Sequence, residues 1–298
     1  MTNAIITTTN LTKEYNGRRV VDNVTLQINQ GEICGLVGKN GAGKTTLMRL
    51  LTGLITPTQG SFAVCPNQAR TDTTVSALIE SPSLYGGLSG MDNLRAQARL
   101  LGLPDDKGYF AKTLEIVGLP NTNQKASSYS LGMKQRLAIA LALLGKPSLV
   151  LLDEPTNGLD PQGIVDLRQL FVKLNRDFGI TFVISSHILS ELGKFATSYC
   201  FVNNGKLIKQ ATASEVDAAC KKFVRVHLED VPTAFALLKQ AGYTVEGRVG
   251  QVDVLDENAQ IVDVVTILSQ GGVVVNNVQT QSQTLEDYFI ALLRGEQR

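Results

Sequence analysis

The stretch Gly38-Lys39-Asn40-Gly41-Ala42-Gly43-Lys44-Thr45 sets two glycines, a lysine and a hydroxyl residue at fixed places. That G-x-x-x-x-G-K-[ST] spacing suits one chemistry, the gripping of phosphate groups. Glycines let the backbone curl until consecutive N–H groups face inward, and the Lys44 ammonium can reach the outer phosphates. The Thr45 hydroxyl is a ligand of the right kind for Mg²⁺. A second group follows in Ser148-Leu149-Val150-Leu151-Leu152-Asp153-Glu154-Pro155. Its apolar run predicts a fully buried strand, and two carboxylates at the exit of such a strand cost energy unless they have work to do. With a phosphate loop upstream, Asp153 can hold the water shell of Mg²⁺ and Glu154 can orient a water for attack on a phosphoryl group. The plain alternative is two acids at an ordinary strand end.

Other positions carry two readings each. Tyr15, in the turn 15–19, is either a partly buried anchor or a ring that stacks on a base. Ser130 and Gly132, in Tyr129-Ser130-Leu131-Gly132-Met133, open a helix and read either as an ordinary cap or as a second anion site. Glu80 follows an apolar strand at 74–79 and is either a solvated charge or part of the phosphate unit. His187, in Ser185-Ser186-His187, leaves the strand 180–184 where a parallel sheet places its ligands. His227 lies inside the strand-like run 223–228 and simply faces one side of it.

These groups need a scaffold, and the flanking sequence supplies one. Residues 33–37 form an apolar strand into the phosphate loop, and residues 46–51 form a helix out of it, which is the context the motif requires. Residues 5–30 alternate as two or three strands, 59–64 adds another, and 199–210 reads as a hairpin turning at Asn203-Asn204-Gly205. Residues 89–145 change to helices: one capped by Ser89, one at 110–117 and one from the Ser130 turn to Gly145. From 223 the order is strand, helix, strand, strand, helix, strand, the ferredoxin-like arrangement, followed by a last helix at 284–293.

At 298 residues two domains are expected. The balance of 28 Lys+Arg against 27 Asp+Glu, a net charge of +1, gives no basic field for nucleic acid or acidic lipid. Cys34, Cys65, Cys200 and Cys220 form no C-x-x-C pair, and reduced thiols in a cytosolic protein are the simplest reading. The longest strongly apolar stretch, 137–144, is far short of the ~20 residues of a membrane span. The start Met1-Thr2-Asn3-Ala4 lacks the features of a signal peptide, so any work at a membrane is expected to run through a partner.

Phosphate loop, Ser-x-Gly helix turn, apolar strand ending in Asp-Glu and strand ending in His, in this order, resemble the ATP-binding subunit of an ABC transporter over residues 5 to about 215. The resemblance implies an α/β fold: a P-loop NTPase (RecA-like) core with an antiparallel β subdomain and a helical subdomain at about 83–145. The ATP-binding domain would cover 1–218, and a small α+β ferredoxin-like domain 219–298. It implies that ATP and Mg²⁺ bind. Tyr15 would stack on adenine, and Gly38, Asn40, Gly41, Gly43, Lys44, Thr45 and Thr46 would cradle the phosphates. Asp153 and Thr45 would hold Mg²⁺, Glu154 would be the catalytic base and His187 would contact the γ-phosphate. Ser130, Gly132 and Asp160 would act across a head-to-tail, ATP-dependent homodimer. The partner would be an integral-membrane permease, through which alone the protein would associate with the inner face of the cell membrane, and nucleic acid would not be a partner.

Two departures from the family pattern matter. Leu131 and Met133 replace a glycine and a glutamine of the Leu-Ser-Gly-Gly-Gln signature, while the decoy Leu88-Ser89-Gly90-Met91 looks closer to it yet does not lead into the Asp-Glu strand. Glu80 stands where most such subunits carry a glutamine that senses Mg²⁺ and the attacking water, and is counted with both the catalytic and the metal residues. Together these resemble the branch that exports bacitracin or lantibiotic-type peptides and confers resistance or immunity. Export of another drug, lipid or small molecule is the alternative. A soluble ABC ATPase of DNA repair or translation fits less well, because those carry long coiled coils or two cassettes.

Overall fold

The computed structural model describes residues 3–65, 75–80, 83–256 and 258–295. The chain divides into two compact units, Met1–Ala213 and Ser214–Arg298. The division falls after Ala213, the first residue of the helix Ala213–Ala219, rather than at 218, so the rest of that helix goes with the second unit.

The first unit is built on a six-stranded sheet. Strands β1 (Ala4–Tyr15), β2 (Arg18–Val24), β3 (Gln27–Asn29) and β5 (Gln59–Val64) form a separate antiparallel sheet. The six-stranded sheet takes β4 (Ile33–Val37), β6 (Val75–Leu78), β7 (Leu149–Asp153), β8 (Thr181–Ser186), β9 (Ser198–Asn203) and β10 (Lys206–Thr212), in the order β10-β9-β4-β8-β7-β6. All its pairs are parallel except the β9–β10 hairpin. β4 and β8 are buried throughout, as expected for central strands of a sheet covered on both faces. The strand expected at 74–79 is Val75–Leu78 in the structure, and Thr74 lies outside the described residues.

Helix α1 (Lys44–Leu51) follows the phosphate loop and buries Leu47, Met48, Leu50 and Leu51. The helical subdomain holds α2 (Gly90–Leu100), α3 (Lys107–Ile116) and α4 (Leu131–Leu143). α5 (Pro161–Phe178) has proline in its first turn, Asp160 as N-cap and Gly179 in the left-handed region at its end. The short α6 (Leu189–Leu192) follows β8. Among the described residues no helix is long and apolar enough to cross a membrane.

The second unit starts at Ser214, inside the helix α7 (Ala213–Ala219). Its sheet holds β11 (Lys222–Leu228), β12 (Val245–Arg248), β13 (Gln251–Val254) and β14 (Val275–Ser282), in the order β12-β13-β11-β14 with every pair antiparallel. Helices α8 (Val231–Gln240) and α9 (Ile261–Gln270) cross between its strands, which is the ferredoxin-like topology. Val224, Val226, Val252, Val254, Leu238 and Leu268 make a core of its own. α9 starts at Ile261 rather than 258 because the Ala259 N–H closes a turn onto the Asp256 carbonyl. α10 (Leu285–Gly295) ends the described chain. Arg225 and Asp253 form a two-pronged ion pair, both bonds 2.7 Å, with Asp253 buried. The pair lifts the Arg225 guanidinium above its ordinary range.

All four cysteines are free. Cys34 and Cys200 are buried with their sulfurs 3.7 Å apart. The contact with Cys34, reinforced by burial, raises the Cys200 thiol well above the usual range.

Candidate functional site

The phosphate loop is shaped by close backbone contacts. A Cβ on Gly43, which has φ +100°, would meet the Val20 carbonyl at 2.5 Å, and one on Gly38 would meet the Val202 carbonyl at 2.5 Å. Only glycine fits at either place. The β9–β10 turn joins in, since Gly205 N–H donates to the Ala42 carbonyl and Asp22 N–H to the Gly205 carbonyl. Gly41 is also left-handed, Asn40 is exposed, and Thr46 is half-buried in the first turn of α1.

Lys44 is buried, and its ammonium donates to the carbonyls of Gly38 (2.7 Å) and Lys39 (3.3 Å). Nζ lies 3.8 Å from Glu154 Oε1. One residue on, Thr45 Oγ1 donates to Asp153 Oδ2 at 2.7 Å. The register pairs Asp153 with Ser185 across β7 and β8, and Ser185 with Leu36 across β8 and β4. Ser185 Oγ therefore donates to Asp153 Oδ1 (2.5 Å) and accepts the Glu154 N–H (2.8 Å). Glu154 sits at φ +50°, a left-handed conformation that a non-glycine residue rarely takes and that is characteristic of functional sites. Its Oε2 lies 2.6 Å from His187 Nδ1 and accepts the His187 N–H at 3.2 Å. Ser186 Oγ accepts the Ile188 N–H at 2.9 Å, which fixes the turn that holds the imidazole.

Lys44, Thr45, Asp153, Glu154 and His187 are thus one connected group, tied by a residue that motif reading passes over, Ser185. A hydroxyl and a carboxylate oxygen 2.7 Å apart suit adjacent positions around Mg²⁺, whose oxygen ligands at 2.0–2.1 Å stand about 3 Å from one another. Among the described residues no cluster of three or more His, Cys, Asp or Glu could hold a metal ion. An ion here must take its remaining oxygens from water and bound phosphates, as Mg²⁺ does.

Three of the other residues form a second group. Ser130 caps α4 by accepting the Met133 N–H at 3.2 Å and is exposed. Asp160 caps α5, accepting the Gly163 N–H at 3.3 Å. Leu131 lies against Gly158, where a Cβ would be 3.1 Å from its methyl, and Leu159 approaches Gly132. A cavity of about 410 Å³ runs along Ser130, Gly132 and Asp160. No described hydrogen bond or ion pair joins this group to Lys44, Asp153 or Glu154. The decoy Ser89 differs: it is buried, and its hydroxyl both donates to the Asp92 carboxylate (2.6 Å) and accepts the Asp92 N–H (3.1 Å).

Tyr15 ends β1, with its ring 44% exposed and the Lys13 ammonium 5.0 Å from its centroid. Glu80 stands outside the connected group. It has φ +71° and its carboxylate pairs with Arg49. Arg49 is four residues beyond Thr45 on α1, hence on the same helix face, one turn along. Ser81 and Pro82, which follow Glu80, lie outside the described residues.

A glycine-shaped phosphate loop beside a strand that ends in paired carboxylates defines a P-loop nucleotide hydrolase. The ABC transporter family profile matches residues 21–157. The chain is 35% identical to the bacitracin transport ATP-binding protein BcrA of Enterococcus faecalis over 299 residues, 98% of this chain and 97% of that protein. It is 42% identical to the lantibiotic transport ATP-binding protein SrtF of Streptococcus pyogenes over 202 residues, 67% of this chain and 87% of SrtF. In fold it is similar to the dimeric post-hydrolysis structure of the ATP-binding cassette MJ0796 with ADP and Pi. The TM-score is 0.61 over 70% of this chain and 98% of that one, at 24% identity. The chain belongs to the ATP-binding proteins of the ABC transporter family; it binds ATP and is an ATPase.

Proposed function

We propose that this chain powers the export of peptide antibiotics of the bacitracin or lantibiotic kind. The observation that carries the chemistry is the single network from Lys44 and Thr45 through Asp153, Ser185 and Glu154 to His187. Support for the cargo comes from the end-to-end similarity to the bacitracin transport protein.

In this reading the N–H groups of residues 38–46 and the Lys44 ammonium bind the β- and γ-phosphates of ATP, while Tyr15 stacks on the adenine. Thr45 and Asp153 would hold Mg²⁺, which would neutralise developing phosphate charge. Glu154 accepts a proton from the attacking water, and His187, held by that carboxylate, contacts the γ-phosphate. Ser130, Gly132 and Asp160 complete the site of a second copy, head to tail. The exposed Ser130 at the helix end, and a cavity beside it that Lys44 does not line, support this. Glu80 reports the state of the site through Arg49, on the helix that also carries Lys44 and Thr45, to an integral-membrane permease. That permease holds the protein at the inner face of the membrane.

The test is to disrupt this chain in its own cells, measure sensitivity to bacitracin and to a lantibiotic, and complement with the native chain or with Lys44→Ala. Sensitivity restored by the native chain but not by the variant is the expected result. Unchanged sensitivity to both peptides removes the cargo assignment and leaves the ATPase standing.

A further inference from the structure

The first unit holds a cavity remote from the residues assigned to ATP. It measures about 460 Å³, with Ile116, Leu143, Leu174 and Phe178 in its walls and Lys112 and Lys146 beside them. Pro147 and Ile180, which also line it, precede β7 and β8, whose other ends bear Asp153 and Ser185. The cavity therefore opens at the end of the sheet opposite the phosphate loop.

Three features describe what it would take. Its walls are apolar, and Phe178 stands 53% exposed at the surface. Both lysines are exposed, and among the described residues neither ammonium has a carboxylate within 4.0 Å. The nearest acid in sequence to Phe178, Asp177, gives its carboxylate to Arg176 at 2.8 Å, and no carboxylate lines the cavity. The backbone at Lys146 is strained, with φ +53°, directly after Gly145 at φ +81° and directly before Pro147. A side chain in the left-handed region is rare, and a following proline restricts the residue further. The turn is held by the Lys146 N–H on the Leu143 carbonyl at 3.1 Å, and Tyr109 also donates to that carbonyl at 3.3 Å.

We propose that this cavity binds an anionic amphiphile of the fatty-carboxylate class, its chain against Ile116, Leu143, Leu174 and Phe178 and its carboxylate on Lys112 and Lys146. The volume falls in the ~300–1,000 Å³ range of small-molecule sites, which are mostly apolar with a few placed polar groups. Two ammonium groups with no carboxylate beside them favour an anionic head, through charge-assisted hydrogen bonds, and repel a cation.

The experiment is calorimetric titration of the full chain with dodecanoate below its micelle concentration, with dodecyltrimethylammonium as the cationic control. The variants are Lys112→Glu/Lys146→Glu and the milder Lys112→Gln/Lys146→Asn, asparagine being tolerant of positive φ. ATP affinity serves as the fold control, because neither lysine belongs to the nucleotide group. Saturable one-to-one binding of dodecanoate is expected, weakened about tenfold or more by either double variant through loss of the charge contacts. The charge-reversed variant should prefer the cation. Absent or non-saturating binding overturns the proposal, as does equal binding of both amphiphiles or an affinity unmoved in a variant that still binds ATP. Those outcomes would leave the cavity as a seat for a partner protein's side chains.

Discussion

His187 Nδ1 lies 2.6 Å from Glu154 Oε2, while the other oxygen of that carboxylate faces Lys44 Nζ at 3.8 Å. One side chain thus spans the imidazole delivered by β8 and the ammonium delivered by the phosphate loop. The arrangement couples the charge of Glu154 to both groups that the proposed reaction sets against the γ-phosphate.

Glu154→Gln keeps the size of the side chain and its oxygen acceptor but removes the charge needed to take a proton. Hydrolysis should fall by about a hundredfold or more with ATP binding retained. Phosphate release and nucleotide binding measure the two, and sedimentation should show an ATP-bound dimer accumulating. Normal turnover in this variant would show that Glu154 is not the base.

Ser185→Ala tests the tie between the two carboxylates. It strips a donor from Asp153 and leaves the Glu154 N–H without its acceptor, a loss of about 1–3 kcal/mol for a buried group. Turnover should drop by about tenfold if a comparable energy is lost in the transition state, with ATP still bound. Ser185→Thr, which keeps the hydroxyl, should recover part of the rate. A rate equal to wild type in the alanine variant would remove Ser185 from the working network.

Glu80→Ala leaves Arg49 without its carboxylate partner. Peptide resistance should fall while ATP binding stays, because the residue would link α1 to the membrane partner rather than bind nucleotide. Resistance and hydrolysis both at native levels would make Glu80 an exposed ion pair of little energetic weight.

Arg225→Ala leaves the buried Asp253 carboxylate without the guanidinium that holds both its oxygens, and an uncompensated buried charge costs about 3–5 kcal/mol. The second unit should melt earlier, read by circular dichroism or calorimetry, while the first unit keeps ATP binding on its own core. A single unaltered transition would show that the pair adds nothing.

Much of this architecture is written locally. The runs 33–37, 149–152 and 180–184 are largely apolar without alternation, as buried parallel strands must be, and Gly38 and Gly43 of the loop stand where carbonyls press on them. The order of elements after residue 223 was enough to give the ferredoxin-like sheet. Partnerships across strands were not legible. Ser185 meets Asp153 because β7 and β8 share a register, and Arg49 meets Glu80 because α1 packs near the end of β6; neither is a matter of sequence spacing. The decoy at Ser89 is different: the order of elements already rejects it, and the structure adds that Asp92 occupies its hydroxyl.

The Val20 carbonyl, against which both Gly43 and Gly205 are fitted, belongs to the same hairpin that ends in Tyr15. With no side chain at either glycine, the hairpin abuts the phosphate loop and the β9–β10 turn backbone to backbone. A displacement of the tyrosine would therefore have a direct backbone route to the phosphate loop. If a base stacks on Tyr15 as proposed, its selection and the grip on the phosphates would share this one hairpin, and an enlargement of the 15–19 turn would be felt in the loop.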